Sequence, residues 1–154
     1  MNQKITTFLM FNDQAADALE FYTSVFPNGR IVNTIPGPDG KTAGGTFELE
    51  GQRFACYNAS PHPNFEPSQA ISLMISADTQ DEIDHYYDSL AEGGTKQPCG
   101  WVVDKFGVSW QVTPSRLMDL LASPDRETAD RVMGAVLQME KLIIADIEAA
   151  AARS

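Results

Sequence analysis

The chain has 154 residues, 43% of them hydrophobic, and its 21 acidic against 11 basic side chains give a formal charge of −10. That is long enough for one domain with its own core, and the negative balance argues against a nucleic-acid partner, which needs a positive field over the phosphates. No apolar run approaches the roughly 18 residues of a membrane span, and the opening MNQKITTFLMF holds one lysine and too short an apolar stretch for an export signal, so a cytoplasmic protein with no membrane partner is expected.

In chain order, ITTFLMF reads as a strand by its β-branched and apolar content. DQAADALEFYTSVF follows with Ala15, Leu19, Tyr22 and Phe26 at helical spacing. Three strands are predicted over about 30–35, 43–49 and 52–58, separated by the turn signals Pro38-Asp39-Gly40 and Glu50-Gly51. The loop 59–69, ASPHPNFEPSQ, is long enough to act as a lid with Phe65 as its apolar tip. AISLMIS then reads as a strand, and TQDEIDHYYDSL as a helix that opens with a Thr79-x-x-Glu82 capping box and carries Ile83, Tyr86, Tyr87 and Leu90 on one side. Strands over about 95–98, 100–104 and 108–113 close the series, the last two joined by a turn through Lys105-Phe106-Gly107.

The second series repeats the first. A shift of 65 sets Asp13 on Asp78, Tyr22 on Tyr87 and Gly29 on Gly94, and a shift of about 56 sets Gly51 on Gly107 and Phe54 on Trp110. The fold expected is therefore α+β: two βαβββ repeats, at about 4–60 and 69–114, in a single domain spanning 1–154. The rest, 115–152, is helical. Ser123-Pro124-Asp125 predicts a start with a capping serine and a proline at the first helical position. From there to about Ala152 a stripe through Val132, Met133, Val136, Leu137, Ile143, Ile144 and Ile147 predicts one long C-terminal helix of about 40 Å. A helix that long would leave apolar surface uncovered, which points to a homodimer.

ITTFLMFNDQAADALEFYTSVFPNGRI, AISLMISADTQDEIDHYYDSLAEGG, CGWVVDKFGVSWQVTP and PDRETADRVMGAVLQMEKL together resemble the vicinal-oxygen-chelate superfamily, also called the glyoxalase/bleomycin-resistance/dioxygenase superfamily. Within it the chain is similar to the PhnB-like group, named for a demethylubiquinone methyltransferase. The resemblance implies cup-shaped half-barrels, frequent dimers, and, in the superfamily's enzymes, one divalent metal held by the first and last strands of each repeat. It does not carry the methyltransferase chemistry with it. A cofactor-binding methyltransferase would need a doubly wound sheet with a glycine-rich loop opening a helix, whereas AGGT (43–46) and EGGT (92–95) each precede a strand. No cofactor is expected.

Strand parity tests the metal. Alternation turns Ile71, Leu73 and Ile75 toward the helix and Ser72, Met74 and Ser76 toward the cup, and the repeat sets Thr7 in the place of Ser72. Phe54 and Trp110 pair as core residues, so Ala55, Tyr57, Gln111 and Thr113 face the cup. Thr7, Ala55, Ser72 and Gln111 then stand at the ligand positions the resemblance implies, and none is a His, Asp or Glu, so no metal is expected. His62 falls in a proline-rich loop, and His85 sits beside Asp81 and Asp84 as in a surface ion pair. Cys56 and Cys99 lack any framework spacing and read as reduced thiols.

A cup without a metal can still hold a small molecule. Trp101 and Val103 point inward from one strand, with Thr46 and Glu48 at the equivalent positions of the first repeat. The candidate ligand-binding residues are thus Thr7, Thr46, Glu48, Tyr57, Phe65, Ser72, Trp101 and Gln111. The aromatic lining and the negative charge point to an aromatic or cationic ligand. Glu48 is the one acid on that face and the only candidate general base, provided burial raises its pKa; the competing position is an exposed strand edge. Two alternatives to simple binding remain: a metal- or Glu48-dependent lyase, isomerase or dioxygenase, and a structural dimer whose cup is packed solid.

Overall fold

The computed structural model of the protein describes residues 3–59 and 68–153. The described residues fall into two compact units that follow the repeat, one from each side of residues 60–67.

The first unit is a four-stranded sheet with one helix. β1 (Thr7–Phe11), α1 (Ala15–Val25), β2 (Arg30–Pro36), β3 (Thr42–Leu49) and β4 (Gln52–Asn58) assemble in the order β1-β4-β3-β2. β1 runs parallel to β4, because α1 carries the chain back across the sheet, and the other pairs are antiparallel hairpins. Glu50 (φ 50°) and Gly51 (φ 76°) both take the left-handed conformation between β3 and β4, the requirement of a two-residue hairpin turn with the strands' own twist. α1 buries Ala15, Ala18, Leu19 and Tyr22 against the sheet. There Tyr22 stacks on Phe47 and Phe47 on Phe54, with ring centroids 5.8 and 5.3 Å apart. The α1 N-terminus is capped from a distance, by Asn58 Oδ1 accepting from the Ala15 N–H at 2.9 Å.

The second unit repeats this plan with β5 (Leu73–Ala77), α2 (Gln80–Ala91), β6 (Thr95–Lys96), β7 (Trp101–Val103) and β8 (Ser109–Pro114), in the order β5-β8-β7-β6. The capping box at Thr79 and Glu82 is formed, both reciprocal bonds at 3.2 Å. α2 buries Ile83, Tyr86, Tyr87 and Leu90, and Val102, Trp110 and Val112 are buried on the sheet. Trp110 is a core residue, 2% exposed, and its indole N–H donates to the buried carboxylate of Asp104 at 2.9 Å.

The C-terminal segment departs from the expected single long helix. It forms α3 (Leu117–Leu121), α4 (Arg126–Val136) and α5 (Ile144–Ala152), with α4 and α5 packed together. Asp125, not Ser123, caps α4, accepting from the Glu127 and Thr128 N–H groups. The break at 137–143 has a physical cause. Leu142 is fully buried with Leu117, Val132, Val136 and Ile147, which a continuous helix would not allow. The backbone freed at the break is satisfied elsewhere in the unit: Cys99 N–H donates to Met139 O at 2.8 Å and Gly100 N–H to Glu140 O at 2.7 Å. The Gln80 side chain donates to Leu142 O and accepts from Ile144 N–H. Lys141 pairs with Asp84 and Asp88 on α2. The hairpin buries Val132, Val136 and Ile147 of the stripe but leaves Met133 and Leu137 42 and 59% exposed, so apolar surface remains on the C-terminal segment although the single long helix does not form.

Candidate functional site

Each sheet has one face under its helix and one open face, and strand register fixes which side chains share the open one. In the second unit β5, β8 and β7 place Met74 opposite Gln111 and Gln111 opposite Trp101, a row across the sheet. Gln111 Nε2 donates to Ser72 Oγ at 2.9 Å, which fixes the amide and leaves its oxygen to accept. Trp101 and Val103 are half-buried while Val102 between them is buried, as alternation requires. Beside the row lies a cleft of about 400 Å³ lined by Gln69, Gln97, Pro98, Cys99 and Trp101; the Gln69 and Gln97 side-chain amides are hydrogen-bonded to each other. The structure thus brings Ser72, Gln111 and Trp101 together, and adds Gln69 and Gln97, which the sequence reading did not single out.

In the first unit the open face is laid out in three rows. Arg30, Glu48 and Arg53 stand opposite one another at one end. Asn33, Thr46, Ala55 and Phe8 form the middle row, and Ile35, Gly44, Tyr57 and Met10 the far one. Phe8 is 57% exposed. Glu48 is neither an exposed edge residue nor a buried base. Its Oε1 takes Arg53 Nη2 at 3.0 Å, and its Oε2 takes Arg30 Nη2 at 2.7 Å and Nε at 3.0 Å. The Arg53 hydrogen bond foremost, with Arg30 beside it, outweighs burial and holds the carboxyl below its ordinary 4.5. The raised pKa that base catalysis required is absent, and the geometry assigns Glu48 to holding two guanidinium groups instead. The backbone of Arg53 is itself fixed by Gln3, whose amide accepts from Arg53 N–H and donates to Arg53 O.

Thr7 does not belong to this face. It pairs with Phe54 on the helix side, and β1 and β5 show the same burial sequence when Thr7 is set on Leu73. The connection from β1 to α1 is one residue longer than that from β5 to α2, so the helices repeat at 65 and the strands at 66. A one-residue slip turns a side chain to the opposite face. Ile71, expected under the helix, precedes β5 and is 81% exposed. Phe65 and His62 lie outside the described residues. His85 is exposed on α2, its Nδ1 3.5 Å from Ser89 Oγ. Cys56 is buried and desolvation pushes its thiol up to about 11, so it is no ready nucleophile at neutral pH.

The family described as 3-demethylubiquinone-9 3-methyltransferase matches residues 3–113. The chain belongs to that family. The PhnB protein from Bacillus cereus, a member by description, is 38% identical over 73% of this chain and 99% of its own, with a TM-score of 0.68. Protein PA1353 from Pseudomonas aeruginosa shares the fold at 21% identity, over 73% and 98% of the two chains, with a TM-score of 0.63. So does the fosfomycin resistance protein FosX from Listeria monocytogenes, complexed with Mn(II) and sulfate, at 14% identity over 74% and 93% and a TM-score of 0.54. The fold these proteins share with the PhnB-like chain is the one that the resemblance to the vicinal-oxygen-chelate superfamily implies. No curated protein matches it in sequence. The PhnB-like match ends before α3, so the C-terminal hairpin lies beyond the family's matched region.

The donor set does not suit a superfamily metal. On the open faces the first and last strands of the units present Phe8 and Ala55, and Met74 and Gln111, with no imidazole, thiolate or carboxylate among them. Among the described residues no group of three or more His, Cys, Asp or Glu stands close enough to hold a metal ion. The two glycine pairs of the sequence lie in other settings than a phosphate-binding turn: Gly44 and Gly45 are inside β3, and Gly93 and Gly94 in the turn before β6, so neither pair opens a helix.

Proposed function

We propose that this PhnB-like protein binds a small molecule on its open sheet faces through side chains alone, and acts as a cytoplasmic homodimer. The observation that carries the binding reading is the Ser72–Gln111–Trp101 group beside the 400 Å³ cleft. An indole face, a fixed amide and a concave apolar wall are the components of a site for a flat ligand with one polar edge. The end of α4 supports the dimer: Met133 and Leu137, one helical turn apart, are 42 and 59% exposed, and exposed apolar surface of this kind marks an interaction site. Two free cysteines agree with a reducing compartment, and no described helix is long and apolar enough to cross a membrane.

Fluorescence titration tests the binding reading. A ligand stacked on Trp101 quenches the wild-type emission saturably and leaves Trp101→Phe, in which only Trp110 reports, unchanged. Quenching that survives Trp101→Phe overturns the placement. Light scattering on the eluting peak tests the dimer, a monomer mass at micromolar concentration contradicting it.

A further inference from the structure

The charged row at the end of the first sheet has a chemistry the overall composition does not suggest. In a chain of charge −10, two arginines share one carboxylate on an open face, a local charge of +1. Both oxygens of Glu48 are engaged, so the carboxylate is spent on the two guanidiniums and fixes where they sit. Each guanidinium has five N–H donors. Arg30 Nη1 and Arg53 Nε and Nη1 take no part in the Glu48 bonds, and the two side chains are 61 and 49% exposed. The next row, with Thr46 and Ala55 at its centre, has short side chains, so the surface dips beside the arginines. Beyond it Tyr57 lies across Gly44, its ring carbon 2.6 Å from where a Cβ on Gly44 would stand. Charged and aromatic rows are four residues apart along β4, about 13 Å at 3.3–3.4 Å per residue.

We propose that this trough is a binding site for a small organic carboxylate, its anionic group on Arg30 and Arg53 and its apolar body lying over Thr46 and Ala55 toward Tyr57 and Phe8. Guanidinium matches a carboxylate with parallel N–H···O bonds, and Glu48 acts as a positioning residue that holds both forks. The site belongs to the first unit and does not depend on the Trp101 face of the second.

The test is a titration of the isotopically labelled full chain with 3-phenylpropanoate, reading backbone amide shifts in β3 and β4 and the arginine Nε–H signals. Its neutral amide, 3-phenylpropanamide, and inorganic phosphate are the comparators. The expected result is saturable shifts at Thr46, Ala55 and both Nε–H groups, with affinity falling from about 0.02 to about 0.3 M salt as exposed charge interactions do. Arg30→Gln and Arg53→Gln each weaken binding about tenfold, and the neutral amide binds weaker by at least about that factor. Both arginines are exposed, and an unchanged circular dichroism spectrum shows that the variants fold. The proposal is overturned by no saturable shift with 3-phenylpropanoate, by equal affinity for the amide, or by binding unaltered in both variants. Binding of phosphate without the carboxylate overturns the assignment of the ligand class.

Discussion

Glu48 shows how one side chain's role depends on partners that its own position does not reveal. On strand parity it faces the open side, as the sequence indicates, but a base needs a raised pKa and Arg53 and Arg30 impose the opposite. A depressed carboxyl contributes its stability above the unfolded value and loses it as pH falls through the folded one. The Arg30–Glu48–Arg53 row is therefore intact at neutral pH and dissolves only in acid. The Glu48 carboxyl carbon followed by NMR should titrate with a midpoint below the ordinary 4.5; a midpoint at or above that value contradicts the row. The pairing with Arg53 was within reach of the sequence, because a two-residue Glu50-Gly51 turn sets residues 48 and 53 opposite each other. Asp104 is the second case. Its carboxylate accepts from the Phe106 and Val108 N–H groups and from the Trp110 indole, at 2.9, 3.0 and 2.9 Å, while 3% exposed. Asp104→Ala leaves those donors unpaired and should cost about 3 kcal/mol in urea unfolding; a loss under about 1 kcal/mol would show that water replaces the carboxylate.

Among the elements, those whose determinants are local were legible, and those set by distant contacts were not. Both hairpins of the first repeat and the Thr79 capping box rest on residues a few positions apart, and the structure reproduces their bounds closely. The C-terminal segment is different. Its apolar period is helical throughout, but Leu142 is claimed by a core of Leu117, Val132, Val136 and Ile147 against which Cys99 packs, with Gln80 and the 99–100 backbone supplying the hydrogen bonds a helix would have made. Gly100 is required there: with φ at +80° and an imagined Cβ 2.7 Å from Val112 O and 3.0 Å from Leu142 Cγ, no other residue fits. Because Cys99 packs on the same cluster and lines the cleft with Trp101, the hairpin braces the wall of the candidate site. Leu142→Ala should destabilise the protein by about 2–5 kcal/mol. It should also increase hydrogen exchange at Cys99 and Gly100 before global unfolding. Exchange there unchanged relative to the rest of β7 and β8 would separate the hairpin from the cleft.

At the scale of the whole molecule, the repeat made the architecture readable. Two βαβββ units were evident because helices and hairpins recur with aligned Tyr22 and Tyr87, and Phe54 and Trp110, all four buried. Face assignment was less secure, since a single added residue between β1 and α1 reversed Thr7 while leaving the helices in step. Family membership at 38% identity to the Bacillus cereus PhnB protein fixes the fold, and function follows from sites rather than folds. The central proposal is binding by Trp101, Gln111 and Ser72 through side chains alone. The measurement that bears on it most directly is a thermal-shift screen of small uncharged aromatic compounds, run with a chelator present, on wild type and Trp101→Ala in parallel. A ligand at 100 times its Kd adds about 2.7 kcal/mol to the folded state, so bound compounds should raise the wild-type Tm in a concentration-dependent way, chelator or not, and leave the variant unmoved. Shifts that vanish on chelation, or that persist in Trp101→Ala, would contradict it.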